Sequence, residues 1–296
     1  MLPNNSDVPR ALALISRGEG HWDQSIAYSE RALALDPRNT ELLTHAAGAY
    51  TMLRQFPAAL KLYNRALDIT PNDPESMAEK ASIYQAQGNL QEATRLLTGI
   101  NEQTPNDETN LTKITQLRLE RNYGEAIRSQ QARLAQFHFV ADSEKAADQL
   151  NLAFMQRLAG DRAGAKVNAE QAINTLEPLY SDQPDMPGFP AGLSQAYAVM
   201  EEKDSALKLA ERAILLQPRA KDAMAGPTFE ENLALIQTIF GENSRAISTL
   251  TQLLQTPYVS WICPTPITPA LLRLDPFWEP LRGDPAFQKL CEEKPH

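Results

Sequence analysis

Cysteine is nearly missing from this 296-residue chain, which holds only Cys263 and Cys291. Two thiols do not make a disulfide scaffold. They can pair across the C-terminal tail or stay as inert thiols, and the cytoplasm is the default compartment. Histidine is as sparse: His21, His45, His138 and His296 are scattered, and no two have helical ligand spacing. No metal site is expected from them. Positive charge is in deficit, with a net charge of −9 and a pI near 5.1. An acidic chain has no electrostatic footprint for nucleic acid or anionic lipid. There is no run of 18 apolar residues, so no segment reads as a membrane-spanning helix. The opening stretch "MLPNNSDVPRALALISRGEG" has no basic flank and only five apolar residues in a row, so it does not read as a secretory signal.

Catalytic signatures are also missing. The sequence has no GxxxxGK[ST] phosphate loop, no HExxH and no CxxC. "GEG" at 18–20 reads as a helix-ending turn, and His138 between Phe137 and Phe139 as a packing residue. No serine sits in a nucleophile elbow, and the kinase catalytic-loop and magnesium motifs are absent. No catalytic residue or cofactor is expected, and the chain does not read as an enzyme. A hydrolase or transferase on a helical solenoid is the weaker alternative.

What is present is a beat. "ERALALDPRNTE" at 30–41 is echoed by "NRALDITPNDPE" at 64–75, and Ala32 and Pro37 recur as Ala66 and Pro71, thirty-four residues on. Pro105 keeps the same step. Each unit reads as two helices. The first carries apolar residues at helical spacing, as in "LLTHAAGAYTML" and "MAEKASIYQAQG". Gly20, Gly88, Gly160 and Gly241 fall where that helix must stop, and glycine accepts the left-handed conformation needed there. Asp23, Asn89 and Asp161 are placed to cap the next helix. One place early in the second helix is always small: Ser25, Ala59, Ala93, Ala126, Ala165, Ala206 and Ala246. Pro37, Pro71, Pro105 and Pro218 close the second helix. Strand-like sequence is limited to "QFHFVA" and "PYVSWIC".

These residues, with an aromatic at the turn (Trp22, Phe56, Tyr123), resemble the tetratricopeptide repeat. Units one to three span 6–106. A fourth is read over 107–140, one residue out of register, then units over 143–178, 187–220 and 227–257. The expected organisation is repeats one to four over 1–140, repeats five to seven over 141–257 with an insertion at 178–190, and a cap over 258–296. The resemblance implies an all-α, right-handed superhelical solenoid of about seven helix pairs. Stability then comes from stacked neighbours, and a concave groove is lined by the first helices.

The tail breaks the beat. Eight of the 21 prolines follow residue 256, and Trp261, Phe277, Trp278 and Phe287 stand among them. Terminal repeats need a cover for their last apolar face, so the tail is expected to fold over the last helix pair, or else to dock on a partner. "LLRLDPFWEPLRGDPAFQKL" and "RGEGHWDQSIAYSERALALDPRN" also resemble the C-terminal repeat region of bacterial multidomain signalling proteins. In those, such repeats follow a serine/threonine kinase, a cyclase-like module or a winged-helix DNA-binding domain. That likeness implies that the chain is the sensory or docking part of a larger protein.

In the repeat family the groove face of the first helix falls at fixed places. Here those places hold Arg10, Leu14, Arg17, Thr44, Thr51, Ser82, Gln85, Arg118, Phe154, Arg157, Gln195 and Thr238. Arg17, Arg118 and Arg157 recur near one late place, so the groove reads as more positive than the outside and suited to acidic side chains of a partner. The other reading is that late-helix arginines favour the helix dipole and reach solvent. Family members that clamp a peptide carboxylate use Lys and Asn where this chain has Arg10, Leu14 and Thr44, so that role is not expected. The expected function is a scaffold binding a protein, peptide or helix in its groove. Self-assembly through the tail is an alternative.

Overall fold

The computed structural model describes residues 5–100 and 107–292. Seven helix pairs follow one another: α1 (Asp7–Gly18) with α2 (Trp22–Leu35), α3 (Thr40–Met52) with α4 (Phe56–Ile69), α5 (Pro74–Ala86) with α6 (Leu90–Thr98), and α7 (Asp107–Leu119) with α8 (Tyr123–Gln136). Then come α9 (Asp142–Leu158) with α10 (Arg162–Asp182), α11 (Gly188–Val199) with α12 (Lys203–Leu216), and α13 (Gly226–Ile239) with α14 (Asn243–Leu254). Among the described residues there is no strand, and the stretches around Phe139 and Val259 are irregular links. No described helix is long and apolar enough to cross a membrane.

The turn inside each pair is built the same way seven times. After the first helix one residue adopts positive φ, at Gly20, Arg54, Gly88, Arg121, Gly160, Glu201 and Gly241. Its N–H reaches back three residues and the next N–H five, as in Gly88 N to Gln85 O (2.9 Å) and Asn89 N to Tyr84 O (2.8 Å). This double bond satisfies carbonyls left open at the helix end. Four of the seven are glycine; Arg54, Arg121 and Glu201 accept a conformation that strains an L side chain. The positions lie 34, 34 and 33 residues apart, then 39, 41 and 40. The thirty-four beat therefore fades because α9 and α10 are longer and the later links between pairs, such as 217–225, are longer. α10 alone runs 21 residues and contains Pro178.

The small position is where helices approach. Ser25, Ala59, Ala93, Ala126, Ala206 and Ala246 are fully buried, and Ala165 is 1% exposed. The cap expectations divide. Asn89 accepts from Glu92 N and Asp161 from Gly164 N, whereas Asp23 lies inside α2 and makes no cap bond. Pro37, Pro71 and Pro218 each stand two residues beyond a second helix; Pro105 lies outside the described residues. Each second helix packs on the next first helix, as α2 on α3, α4 on α5 and α12 on α13.

The tail then leaves α14 and does not simply cover it. It forms α15 (Pro269–Leu274), a 3-10 turn (Pro276–Leu281) and α16 (Pro285–Glu292). Its path crosses the earlier repeats. Thr268 donates to Ala86 O at 2.6 Å, and Gly88 lies against Ala270 and Leu274. The 3-10 turn packs on α13 and α14. Trp278, Tyr258 and Phe287 are among the most deeply buried side chains of the molecule. The array also meets itself: Ala223 N, in the link before α13, donates to Gly18 O at 2.8 Å.

Candidate functional site

The tail lies against first helices, with bonds to Ala86 on α5, Arg118 on α7 and Glu231 on α13. Arg118 on α7 is the main anchor. Its Nη2 lies 2.9 Å from Asp275 Oδ2 and also donates to Ile262 O and Cys263 Sγ; Nε bonds both Asp275 oxygens. The guanidinium stacks 4.2 Å from the Phe277 ring centroid, and Phe277 meets Phe154 edge-on at 5.3 Å. Burial pulls the Arg118 pKa down, but Asp275 outweighs it and the net shift is upward. Cys263 is a buried free thiol whose pKa burial pushes well up, so it stays protonated; Cys291 is free as well.

Two further anchors hold the tail. Arg54, in the α3–α4 turn, donates to the carbonyls of Ile267, Thr256 and Leu253 at 3.0, 3.0 and 2.8 Å. Glu231, fully buried on α13, accepts from Tyr258 Oη (3.0 Å), Ser260 Oγ (2.6 Å) and Trp261 N (3.4 Å). Burial drives the Glu231 carboxyl up to about 7 despite those donors and Arg54. Thr228 donates to Val259 O beside it.

What the tail leaves open is a cleft of about 420 Å³. Its walls come from α7 (Asn110, Leu111, Arg118), α9 (Ala147, Leu150, Asn151, Phe154), α11 (Phe189, Gly192, Gln195) and the tail (Trp261, Ile262, Phe277). Apolar groups line most of it. Gly188 and Gly192 open α11 to its neighbours: a Cβ at Gly192 would stand 3.0 Å from Leu176 Cδ1, and one at Gly188 3.4 Å from Trp261. At one rim Asn110 Nδ2 reaches Asp148, which is itself paired with Arg133 at 2.5 Å. Glu144 accepts the N–H groups of Val140 and Ala141.

The chain resembles known repeats. The tetratricopeptide-repeat family model matches residues 16–78 and 52–113, about a third of the chain. No curated protein matches it in sequence. A tetratricopeptide repeat protein from Parabacteroides merdae superposes with a TM-score of 0.55 at 18% identity, over 80% of this chain and 86% of that one. A chain of the APC/C hetero-tetramer Cut9-Hcn1 gives 0.53 at 13% identity, over 73% of this chain and 41% of that one. This chain thus spans less than half of the second structure. At these identities the likeness is one of fold: consecutive packed helix pairs in a tetratricopeptide-type solenoid.

The structure brings Arg118, Phe154 and Gln195 together in the cleft. It places the other expected groove residues elsewhere. Arg10 pairs with Glu41 at 2.7 Å. Arg17 is buried, donates to His45 O and leaves Nε without a partner, and burial lowers its pKa. Thr44 and Thr51 bond carbonyls of their own helix. Gln85 is buried and donates to Thr112 O and Gln116 Oε1 on α7. Arg157 is half-buried with its pKa lowered by burial, and Gln195 donates to Asn232. Residues missed by sequence reasoning include Arg54, Glu231 and Asp275. Arg54 did leave a signal: it holds a place where Gly20 and Gly88 stand thirty-four residues to either side.

Proposed function

We propose that this chain is a protein-interaction scaffold that binds a peptide or helix in the cleft between α7, α9 and α11. The observation that carries the reading is the cleft itself, an apolar trough of about 420 Å³ left on the inner wall after the tail has filled its neighbourhood. Leu111, Phe189 and Trp261 offer partly exposed apolar surface for a large side chain, and Asn151 is a polar group at the same wall. Binding of this kind reads anchors at helical spacing or along an extended strand. Arg118 is neutralised by Asp275, so the reading asks for apolar anchors in the partner more than for acidic ones. The two-protein assembly of Cut9 with Hcn1 on a similar fold accords with a scaffold role. The tail sequence resembling bacterial signalling proteins supports the finer reading of a docking region of such a protein.

Ala147 is an exposed residue of the cleft, so Ala147→Trp fills the cleft without entering the core. A phage-displayed random peptide library panned on the full chain is expected to yield peptides with spaced aromatic or aliphatic anchors, retained by the native chain and lost by Ala147→Trp. Failure to enrich any sequence, or equal retention by the variant, rejects the cleft as the site.

A further inference from the structure

The tail segment 255–268 runs as a strap between α14 and α15, and different groups hold its parts. Arg54 holds both ends, through the carbonyls of Leu253, Thr256 and Ile267. Val259 donates to Met224 O and accepts from Thr228, and Ile262 O accepts from Arg118. Trp261 lies between those two. Among the described residues its one hydrogen-bond partner is Glu231, which accepts its backbone N–H at 3.4 Å. The half-buried indole tilts against Phe229, 5.8 Å between centroids, lies close over Gly188 and walls one side of the cleft. Glu231 is fully buried and does not line the cleft itself. It reaches the cleft through this residue.

The hydrogen bonds around Glu231 leave no place for another proton. Ser260 Oγ accepts the N–H groups of Ile262 (3.2 Å) and Cys263 (3.1 Å), which fills both lone pairs, and gives its own proton to Glu231 Oε2. Tyr258 Oη accepts the N–H of Ile267 at 3.1 Å and gives its proton to Oε1 at 3.0 Å. An ionised carboxylate accepts all three donors. A proton on Oε2 would face Ser260 O–H and Trp261 N–H, and neither can accept it. A proton on Oε1 makes Tyr258 turn its own proton away. Either way one donor loses its acceptor. Arg54, Tyr258 and Cys263 are the titratable or charged groups that act on the carboxylate. Neighbouring charges are spent on each other: Glu230 on Arg219, and Asp275 on Arg118. Helix α11 carries no charged residue, and on α12 and α14 Arg212 and Arg245 pair outside with Asp185 and Glu211.

We propose that Glu231 is a positioning residue for the cleft: ionised, it holds Trp261 as a fixed wall, and on taking up a proton it lets that wall go, so ligand binding weakens as pH falls. This regulation rests on the cleft being the binding site.

The test labels the full chain with fluorotryptophan and follows it by fluorine NMR, with Trp261→Phe assigning the Trp261 signal. That signal is expected to titrate with a midpoint of about 7. Glu231→Gln, alike in shape but with no proton to take up, should flatten the titration. Ser260→Ala leaves the carboxyl in place and removes one donor to its ionised form, so the midpoint should rise. A Trp261 signal that stays still between about pH 5 and pH 9, or that moves equally in Glu231→Gln, overturns the proposal. This arm needs no ligand, so its failure leaves the cleft reading standing. A peptide recovered by panning serves as the second probe, and should bind at least about fivefold more tightly at pH 8 than at pH 6. In Glu231→Gln the two affinities should be equal. A peptide lost on Ala147→Trp yet bound equally at both pH values by the native chain overturns the regulation and keeps the site.

Discussion

Arg118 and Asp275 lie 157 residues apart in sequence and 2.9 Å apart in space, with 2% and 0% of their side chains exposed. The pair ties the fourth helix hairpin to the tail. Removing one partner strands a buried charge, so Asp275→Ala should destabilise the protein by about 3–5 kcal/mol. Replacing both, as Arg118→Met with Asp275→Leu, should recover much of that loss. Urea unfolding of the three proteins checks it. Charge reversal at Arg118 should likewise lower stability, which makes it a poor probe of partner binding.

Glu231 gives the protein a pH dependence of definite sign. Its carboxyl is raised by burial from the ordinary 4.5 to about 7. A raised acid binds its proton in the folded state first, so folding is favoured at low pH and this contribution is lost as pH rises through about 7. The difference across the window from 4.5 to 7 is about 3 kcal/mol. Glu231→Gln should remove that part of the slope when unfolding free energies are compared between pH 5 and pH 8.

The three non-glycine residues that are left-handed in the turns inside the pairs should respond unequally. Glu201 pairs with Lys166 at the exposed surface, and such pairs contribute little. Glu201→Gly should thus stabilise the chain by about 0.5–1 kcal/mol through relief of the strained turn. Arg54→Gly relieves the same strain but removes the donors to the carbonyls of Leu253, Thr256 and Ile267, and should cost at least about 1 kcal/mol net. Thermal melts of both variants discriminate.

Deleting residues 258–296 removes Trp278, Leu281 and Phe287, each at most 1% exposed. Loss of one such aromatic alone costs about 3–5 kcal/mol. The shortened chain should lose its cooperative melt and aggregate through uncovered apolar surface in pairs five to seven. Light scattering and circular dichroism report this. A shortened chain that melts as before would mean that the tail is a passenger.

Most of the fold was legible because its signals are local. Gly20 and Gly88 mark turns, Ala59 and Ala93 mark close approaches, and Pro37 and Pro71 mark stops. Each acts within a few residues of itself, and repetition raised them above chance. The tail was not legible for the opposite reason. Asp275 looks like any aspartate before a proline, and nothing in its neighbourhood names Arg118 as its partner. The expected groove residues came from register alone, which fixes a helix face but not what lies over it. The structure set Gln85 against α7, and it let Phe154 meet Phe277 of the tail. Glu231 sits in "PTFEENLAL", where only burial, invisible in sequence, distinguishes it from Glu230.

The bond from Ala223 to Gly18 and the passage of the tail from α14 back to α3, α5 and α7 have a kinetic consequence. An open array can acquire its units one after another as the ribosome releases them. Here the tail completes the interior of hairpins made about two hundred residues before it. The early hairpins must hold that surface ready until the tail has been made, and closure brings together segments far apart in sequence. Such closure is slow relative to pairing of adjacent helices. A nascent chain stalled near Leu254 would expose sticky surface for as long as the stall lasts.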